Sequence, residues 1–173
     1  GSDRQEIKFK DFANKKYLDD VLTDIKFSNV AWNNDKGIFY KKNSNKEFFE
    51  KDSTYQLYYH KIGDIQSKDQ LVFDTSNSKA NFNFFTKQNK LFVVETSEDE
   101  TTKNYYYTTI ENEQFQFKNF IKGDKSNLEL LNIINDKFYF SDEKYSWGNI
   151  SYFDLNNRTE STVLIPQVYS HLL

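Results

Sequence analysis

The strongest constraint on the fold of this chain is a unit of four short apolar runs that occurs three times along it. The second run of each unit is an apolar triplet that follows a polar turn: Ile38-Phe39-Tyr40, Leu91-Phe92-Val93 and Phe138-Tyr139-Phe140. These triplets start 53 and 47 residues apart. Four short strands that repeat every roughly 40 to 50 residues are typical of a β-propeller blade. The repeat therefore predicts an all-β chain built from successive blades.

The other runs of each unit keep the same order along the chain. The first runs lie at residues 27–32, 82–85 and 128–134, and the fourth runs at residues 71–73, 115–121 and 163–165. The third runs are rich in tyrosine and begin at Tyr55, Asn104 and Asn149. Near the start, EIKFKDF and KYLDDVL fit the third and fourth strands of a preceding blade. We therefore expect about three and a half four-stranded antiparallel blades.

The repeat also sets expected boundaries. Residues 1–2 resemble a tag-cleavage scar, and the expected segments are a half blade at 3–23, blades at 24–76, 77–123 and 124–167, and a tail at 168–173. The sequence contains no methionine, which favours an excised segment of a longer protein over a mature form whose leader was removed. Gly37 and Gly63 are expected in or beside turns where a positive φ is useful.

The composition agrees with an all-β fold but does not distinguish one β architecture from another. Aromatic residues make up 18% of the chain, and flat rings cover pleated surfaces well. A β-sandwich or a closed barrel would also use several short strands with regular turns. Those folds do not require the same order of strands to recur three times, so the propeller is the favoured interpretation.

Charge and hydropathy exclude several classes of partner. The net charge of −3 argues against a nucleic-acid partner, which normally needs a basic surface. No apolar run approaches the roughly 18 residues that a membrane helix needs, so we expect a soluble protein without a membrane partner. Cysteine is absent, which leaves the compartment, cytoplasm or periplasm, undetermined.

Two stretches resemble a known family. Residues 26–40, KFSNVAWNNDKGIFY, and residues 57–73, LYYHKIGDIQSKDQLVF, resemble the propeller of the prolyl oligopeptidases, serine peptidases that cut short peptides after proline. The matching positions are Phe27, Trp32, Asp35, Gly37, Phe39, Tyr40, Tyr58, Tyr59, His60, Gly63 and Asp69. The later units match more loosely, because their turns lack the Asp-Gly of the family. In the stretch 57–73, Asp64 stands after Gly63 where the family usually has threonine.

The resemblance implies a fold and a role. It implies part of a seven-bladed propeller that caps an α/β-hydrolase domain of the same parent chain and admits only short proline-containing peptides. Phe27 matches the aromatic residue that helps to line the pocket around the scissile proline in the family. The alternative for Phe27 is that it only packs between blades.

The residues themselves do not assemble a catalytic or metal site. The five glycines stand at 1, 37, 63, 123 and 148, so the G-x-S-x-G motif of a nucleophile elbow is impossible. His60 is better interpreted as a strand residue than as a catalytic base, and His171 lies in the terminal tail. Asp19-Asp20 and the Glu98-Asp99-Glu100 run lack the spacing of a calcium loop. We therefore expect no cofactor, no metal and no catalysis in this chain. The resemblance implies a serine-type prolyl endopeptidase as its parent.

One function from another class remains open. A stand-alone propeller-like module that binds a protein or a carbohydrate would show the same repeat. Under either function, an open arc of blades leaves apolar faces uncovered. We therefore expect the chain to self-associate or to swap strands. Two copies of three and a half blades would together supply the seven blades of a closed ring.

Overall fold

The computed structural model describes residues 5–25, 28–43, 55–75, 78, 80–125, 128–142, 149–157 and 161–166. Fourteen strands in these ranges form one two-stranded sheet and three four-stranded sheets, and neighbouring strands within each sheet are antiparallel. A single 3-10 turn, Gln66–Lys68, interrupts the strands of the described part. No helix there is long and apolar enough to cross a membrane.

The strands follow in chain order within each sheet. The two-stranded sheet pairs β1 (Gln5–Lys10) with β2 (Tyr17–Ile25). The first sheet contains β3 (Val30–Asn33), β4 (Gly37–Asn43), β5 (Tyr55–Lys61) and β6 (Gln70–Asp74). The second sheet contains β7 (Asn81–Lys87), β8 (Lys90–Thr96), β9 (Lys103–Thr109) and β10 (Lys118–Asp124). The third sheet contains β11 (Leu128–Ile134), β12 (Lys137–Asp142), β13 (Asn149–Asp154) and β14 (Thr162–Ile165).

The burial of the second strands explains why they appear as apolar triplets. Ile38, Phe39 and Tyr40 are all at most 1% exposed, although their side chains alternate between the two faces of the sheet. Ile38 and Tyr40 pack towards the two-stranded sheet, whereas Phe39 packs towards the second sheet. A strand segment that is covered on both faces favours apolar side chains at successive positions, which explains the apolar triplet.

Two of the hairpin turns reach the required geometry without glycine. Gln88 and Asn89 have φ values of 47° and 54°, and Asn135 and Asp136 have values of 47° and 60°. Each pair forms a two-residue connection with positive φ at both positions, which is the turn that suits twisted antiparallel strands. Asn and Asp tolerate this conformation better than other side chains. The later units therefore use a shorter hairpin than the first, whose connection has three residues and a positive φ only at Asn34.

Apolar side chains fill the space between each pair of successive sheets. One core cluster lies between the two-stranded sheet and the first sheet, a second between the first and second sheets, and a third between the second and third sheets. The sheets do not close on themselves, so the arrangement is an open series of blades rather than a barrel. The prediction of a partial all-β propeller with about three and a half antiparallel blades is confirmed.

Two strands begin later than the sequence indicates. β3 begins at Val30, although the apolar run that predicts it spans 27–32. The apolar run at 115–121 predicts a strand, whereas β10 begins at Lys118. Phe115 and Phe117 precede the strand because their rings pack across the sheet boundary. The Phe115 ring lies 5.3 Å from the Tyr59 ring, and the Phe117 ring lies 5.1 Å from the Phe73 ring.

Candidate functional site

Phe27, the predicted substrate-binding residue, lies outside the described residues. In the chain it stands between Ile25, where β2 ends, and Ser28, which precedes β3. We therefore describe the candidate site from the residues that directly follow Phe27 in the chain. His171 also lies outside the described residues.

The residues after Phe27 connect the first sheet to the second. Within the first unit, the Ser28 hydroxyl accepts a hydrogen bond from the Lys41 backbone N–H at 2.7 Å. The Asn29 side-chain amide donates to the carbonyl of Phe84 in β7 at 3.1 Å. At the other end of β3, the Thr86 hydroxyl donates to the Trp32 carbonyl at 2.9 Å. The first strands of the two sheets are thus held together at both ends.

Lys41 supplies a further connection at the same place. Its ammonium donates to the Asn81 side-chain oxygen at 3.1 Å and to the Phe82 carbonyl at 2.8 Å. The ammonium also lies 4.6 Å from the centre of the Tyr55 ring and 4.9 Å from that of the Phe82 ring. Aromatic faces and carbonyl oxygens both stabilise a cation. We call Ser28, Asn29, Lys41 and Asn81 the β3–β7 junction.

Burial has a cost for the charge of Lys41. The residue is only 7% exposed, and loss of hydration lowers the pKa of its ammonium from the usual 10.5. The Lys41 ammonium therefore loses its proton more readily in the folded chain than in the unfolded chain.

This property gives a pH-dependent prediction for Lys41→Met. Stability rises with pH wherever the unfolded state binds more protons, which here means between the lowered pKa of Lys41 in the folded chain and the usual lysine value of 10.5. We expect the free energy of unfolding of the wild type to increase, relative to that of Lys41→Met, as the pH is raised from neutrality towards that value. Urea denaturation of both proteins across this range measures the difference. The matched control is Lys68→Met at an exposed position, and an equal trend in the control would contradict burial as the cause.

His60 occupies a second polar cluster, between the two-stranded sheet and the first sheet. Its Nδ1 lies 2.7 Å from Asp69 Oδ1, and its Nε2 lies 3.6 Å from Asp20 Oδ2. The Phe9 ring stacks on the imidazole with the ring centres 5.4 Å apart. The Tyr40 hydroxyl donates to Asp69 Oδ2 at 2.6 Å, and burial, together with this carboxylate, raises the pKa of Tyr40. We call Asp20, Tyr40, His60 and Asp69 the His60 cluster.

The His60 cluster connects sheets rather than facing a substrate. His60 is fully buried, whereas a general base must reach the proton that it removes from a substrate. Asp20 comes from β2 and also accepts a hydrogen bond from the Gly63 backbone N–H at 2.7 Å. Asp20, which was considered as a calcium ligand because it follows Asp19, is therefore a contact between two sheets. Among the described residues, no group of three or more His, Asp or Glu side chains is placed to hold a metal ion.

Sequence reasoning missed most of the β3–β7 junction. The available signal was Lys41 itself, because a lysine that directly follows a continuously apolar triplet lies in a strand covered on both faces. Nothing local indicated that its partners would be Asn81 and Phe82, which are about 40 residues away.

Comparison with known proteins places this architecture in a family. Residues 1–173 match the family described as "Prolyl oligopeptidase, N-terminal beta-propeller domain". The prolyl endopeptidase of Elizabethkingia miricola is 26% identical over 149 residues, which are 83% of this chain and 21% of that protein. The prolyl endopeptidase of Elizabethkingia meningoseptica is 27% identical over 149 residues, with the same two shares.

A solved structure agrees at the level of the fold. Prolyl oligopeptidase B from Galerina marginata superposes with a TM-score of 0.78 at 16% identity, over 97% of this chain and 26% of that one. This chain spans only about a fifth of the length of the curated relatives that it matches. The match along its whole length shows that the chain belongs to the prolyl oligopeptidase family, within the N-terminal β-propeller domain of that family.

Proposed function

We propose that this chain is a non-catalytic propeller segment of a proline-specific serine oligopeptidase. In that role it caps the active site of a hydrolase domain and restricts entry to short peptides. The observation that carries the proposal is the family match over residues 1–173, and the two curated relatives are named prolyl endopeptidases. The chain contributes no G-x-S-x-G motif, so the chemistry belongs to the hydrolase domain of the parent.

Exclusion by a rigid wall is the proposed mechanism. A wall of sheets excludes large substrates only if neighbouring sheets do not separate when a long chain presses between them. The β3–β7 junction opposes such separation because its hydrogen bonds cross the sheet boundary and one of them comes from a buried ammonium. Phe27 directly precedes this junction in the chain, and we propose that it lines the pocket near the scissile proline.

We also propose blade boundaries close to those expected from the sequence. The first and third sheets lie within residues 24–76 and 124–167. The half blade extends past residue 23, because β2 ends at Ile25, and the second blade extends past residue 123, because β10 ends at Asp124.

The experiment uses the parent protein, in which this chain is joined to its hydrolase domain. Two peptides with the same proline site are compared, one short and one several times longer. We expect the short peptide to be cleaved much faster, and Asn29→Ala to raise the relative rate on the long peptide because it removes the bond to Phe84. Asn14→Ala is the matched control, since it removes a side-chain hydrogen bond to Asp11 in the β1–β2 turn.

Two further readouts separate the parts of the proposal. Phe27→Ala is expected to raise KM for the short peptide several-fold, whereas Phe12→Ala, at a side chain that is 96% exposed, should leave KM unchanged. The present chain alone should not cleave either peptide. Equal rates on both peptides, or the same ratio in Asn29→Ala as in the wild type, would contradict size restriction by the propeller.

A further inference from the structure

A pocket of about 250 Å³ lies within the connection between the third and fourth strands of the second sheet. Every residue that lines it belongs to residues 107–118, which run from near the end of β9 to the first residue of β10. We call it the β9–β10 pocket. Pockets for drug-sized molecules occupy roughly 300 to 1,000 Å³, so this one suits a smaller ligand.

The corresponding connection of the first sheet has the same length and a different structure. Residues 60–69 and residues 108–117 separate the same two facing positions of their sheets. The first of these segments contains the 3-10 turn Gln66–Lys68, and the Gln66 side chain donates to the Thr23 carbonyl of β2 at 3.0 Å. The second contains neither a helix nor a strand after β9 ends. The repeated unit therefore does not dictate how this connection folds.

The sequence of the connection alternates between two sides. The Glu113 carboxylate accepts a hydrogen bond from the Tyr59 hydroxyl at 3.2 Å, and the rings of Phe115 and Phe117 pack on rings of the first sheet. Successive residues of an extended segment point to opposite sides. The contacts with the first sheet therefore direct the residues between and beside them into the pocket, and these are Asn112, Gln114, Gln116 and Lys118.

The lining of the β9–β10 pocket provides many hydrogen-bonding groups and a single charge. Three side-chain amides and two threonine hydroxyls combine donors with acceptors, and the Lys118 ammonium adds further donors. No carboxylate is among the described residues of the lining. The two carboxylates of the connection have other partners, because Glu111 accepts a hydrogen bond from Asn89 at 3.2 Å and Glu113 contacts the first sheet.

This lining discriminates between classes of occupant. A cation or a zwitterion finds no negative partner among the described lining groups. An extended peptide does not fit along the connection, since the pairing of Lys118 with Tyr107 closes one end and the turn at residues 111–112 closes the other. A small anion uses the ammonium but leaves the amide oxygens without donors. A compact neutral molecule with several hydroxyl groups uses both the donors and the acceptors.

The β9–β10 pocket lies at the opposite end of β3 from the β3–β7 junction. β3 begins at Val30, next to the junction, and ends at Asn33. The Asn33 side-chain amide donates to the carbonyl of Ile110, the first residue after β9, at 3.4 Å. A ligand in the pocket therefore does not compete for space with a molecule bound near the junction.

We propose that the β9–β10 pocket binds a neutral saccharide through one sugar ring. The amides of Asn112, Gln114 and Gln116 hydrogen-bond neighbouring hydroxyl groups of the ring. Lys118 and Thr109 bond the remaining hydroxyl groups. The inference rests on the closed connection, on its alternating sequence and on the absence of carboxylates from the described lining, and it does not depend on the proposed peptidase role.

The test titrates the full ¹⁵N-labelled chain with glucose, galactose and mannose in separate experiments at constant salt. We expect at least one of these sugars to produce saturable shifts in the NMR signals of the side-chain amides of Asn112, Gln114 and Gln116. The side-chain amide of Asn14, which bonds Asp11 in the β1–β2 turn, is the internal control and should not shift.

Gln114→Met keeps the length of the side chain and removes its amide. We expect the dissociation constant for the bound sugar to rise about fivefold, because one hydrogen bond is lost. Gln70→Met is the matched control, since Gln70 is an exposed first residue of β6, as Lys118 is the first residue of β10. It should leave the dissociation constant unchanged. If Gln114→Met lowers the urea midpoint, Thr109→Val, which removes a hydroxyl and keeps the shape, replaces it with the same expected rise.

The proposal is overturned if none of the three sugars produces saturable shifts, or if Gln70→Met weakens binding as much as Gln114→Met. Sodium acetate separates a saccharide site from an anion site. If acetate displaces the bound sugar and added sodium chloride weakens binding, the Lys118 ammonium holds an anion and the saccharide assignment fails. Sugar binding that persists in acetate and in sodium chloride supports the proposal.

Discussion

Gly37→Ala is expected to destabilise the chain by about 3 kcal/mol or more, at the upper end of overpacking substitutions. A β-carbon at this position would lie 2.2 Å from the His60 carbonyl oxygen and 2.8 Å from the Tyr59 hydroxyl oxygen. The carbonyl cannot withdraw alone, because β4 and β5 are paired along their whole length from Gly37 opposite Lys61 to Asn43 opposite Tyr55. Relief therefore requires the two strands to separate locally. Urea denaturation should show a lower midpoint, or the variant should fail to fold.

Gly123→Ala is the matched control, because it also adds one methyl group to a glycine in a strand. Nothing lies within 4 Å of the position that the methyl group would take at Gly123, although its φ of +64° is unfavourable for alanine. The left-handed conformation alone costs about 1–2 kcal/mol. If Gly37→Ala loses no more free energy of unfolding than Gly123→Ala, the contact with the His60 carbonyl does not cause the destabilisation.

Gly37 also illustrates the limit of the sequence analysis. The sequence suggested a turn residue with positive φ, and Gly63 does have a φ of +91°. Gly37 instead begins β4 without a left-handed backbone, and its glycine is required by the close approach of the neighbouring strand. Turn chemistry is a local property that a sequence displays, whereas close approach depends on a strand about 20 residues away.

The fold could be predicted because its signals are local and repeated. Each apolar triplet, turn and tyrosine-rich strand is contained in a short window, and three copies confirm one another. The late start of β10 could not be predicted from such a window, because Phe115 belongs by sequence to the apolar run but packs on the ring of Tyr59 in another sheet.

The polar clusters were only partly predictable for the same reason. His60 and Asp69 are nine residues apart and both belong to the family pattern, so their pairing follows from one local unit. Asp20 belongs to the two-stranded sheet, and no periodicity connects it with His60. Asn29 likewise bonds a carbonyl 55 residues away. Contacts between blades depend on how the sheets stack, which the repeat indicates only in outline.

His60→Ala is expected to cost about 3 kcal/mol or more, because it removes a hydrogen-bond partner of the largely buried Asp69 carboxylate and leaves a cavity beside Asp20. The side chains of Asp69 and Asp20 are only 3% and 8% exposed. Tyr40 still donates to Asp69 in the variant, so Asp69 retains one hydrogen bond while Asp20 retains the one from Gly63. The loss measured by urea denaturation is compared with that in Lys61→Ala, at the next position in β5.

Lys61 is a suitable control because its side chain is 55% exposed and its ion pair with Glu113 lies on the surface, where such pairs contribute at most about 1 kcal/mol. A more specific measurement is which strands lose protection from hydrogen exchange. Because Asp20 and Phe9 attach the two-stranded sheet to the His60 ring, hydrogen exchange in His60→Ala should accelerate most at the amides of β1 and β2 and least in the third sheet. If protection falls equally in all sheets, His60 contributes only to general packing, and the two-stranded sheet is held by its apolar contacts alone.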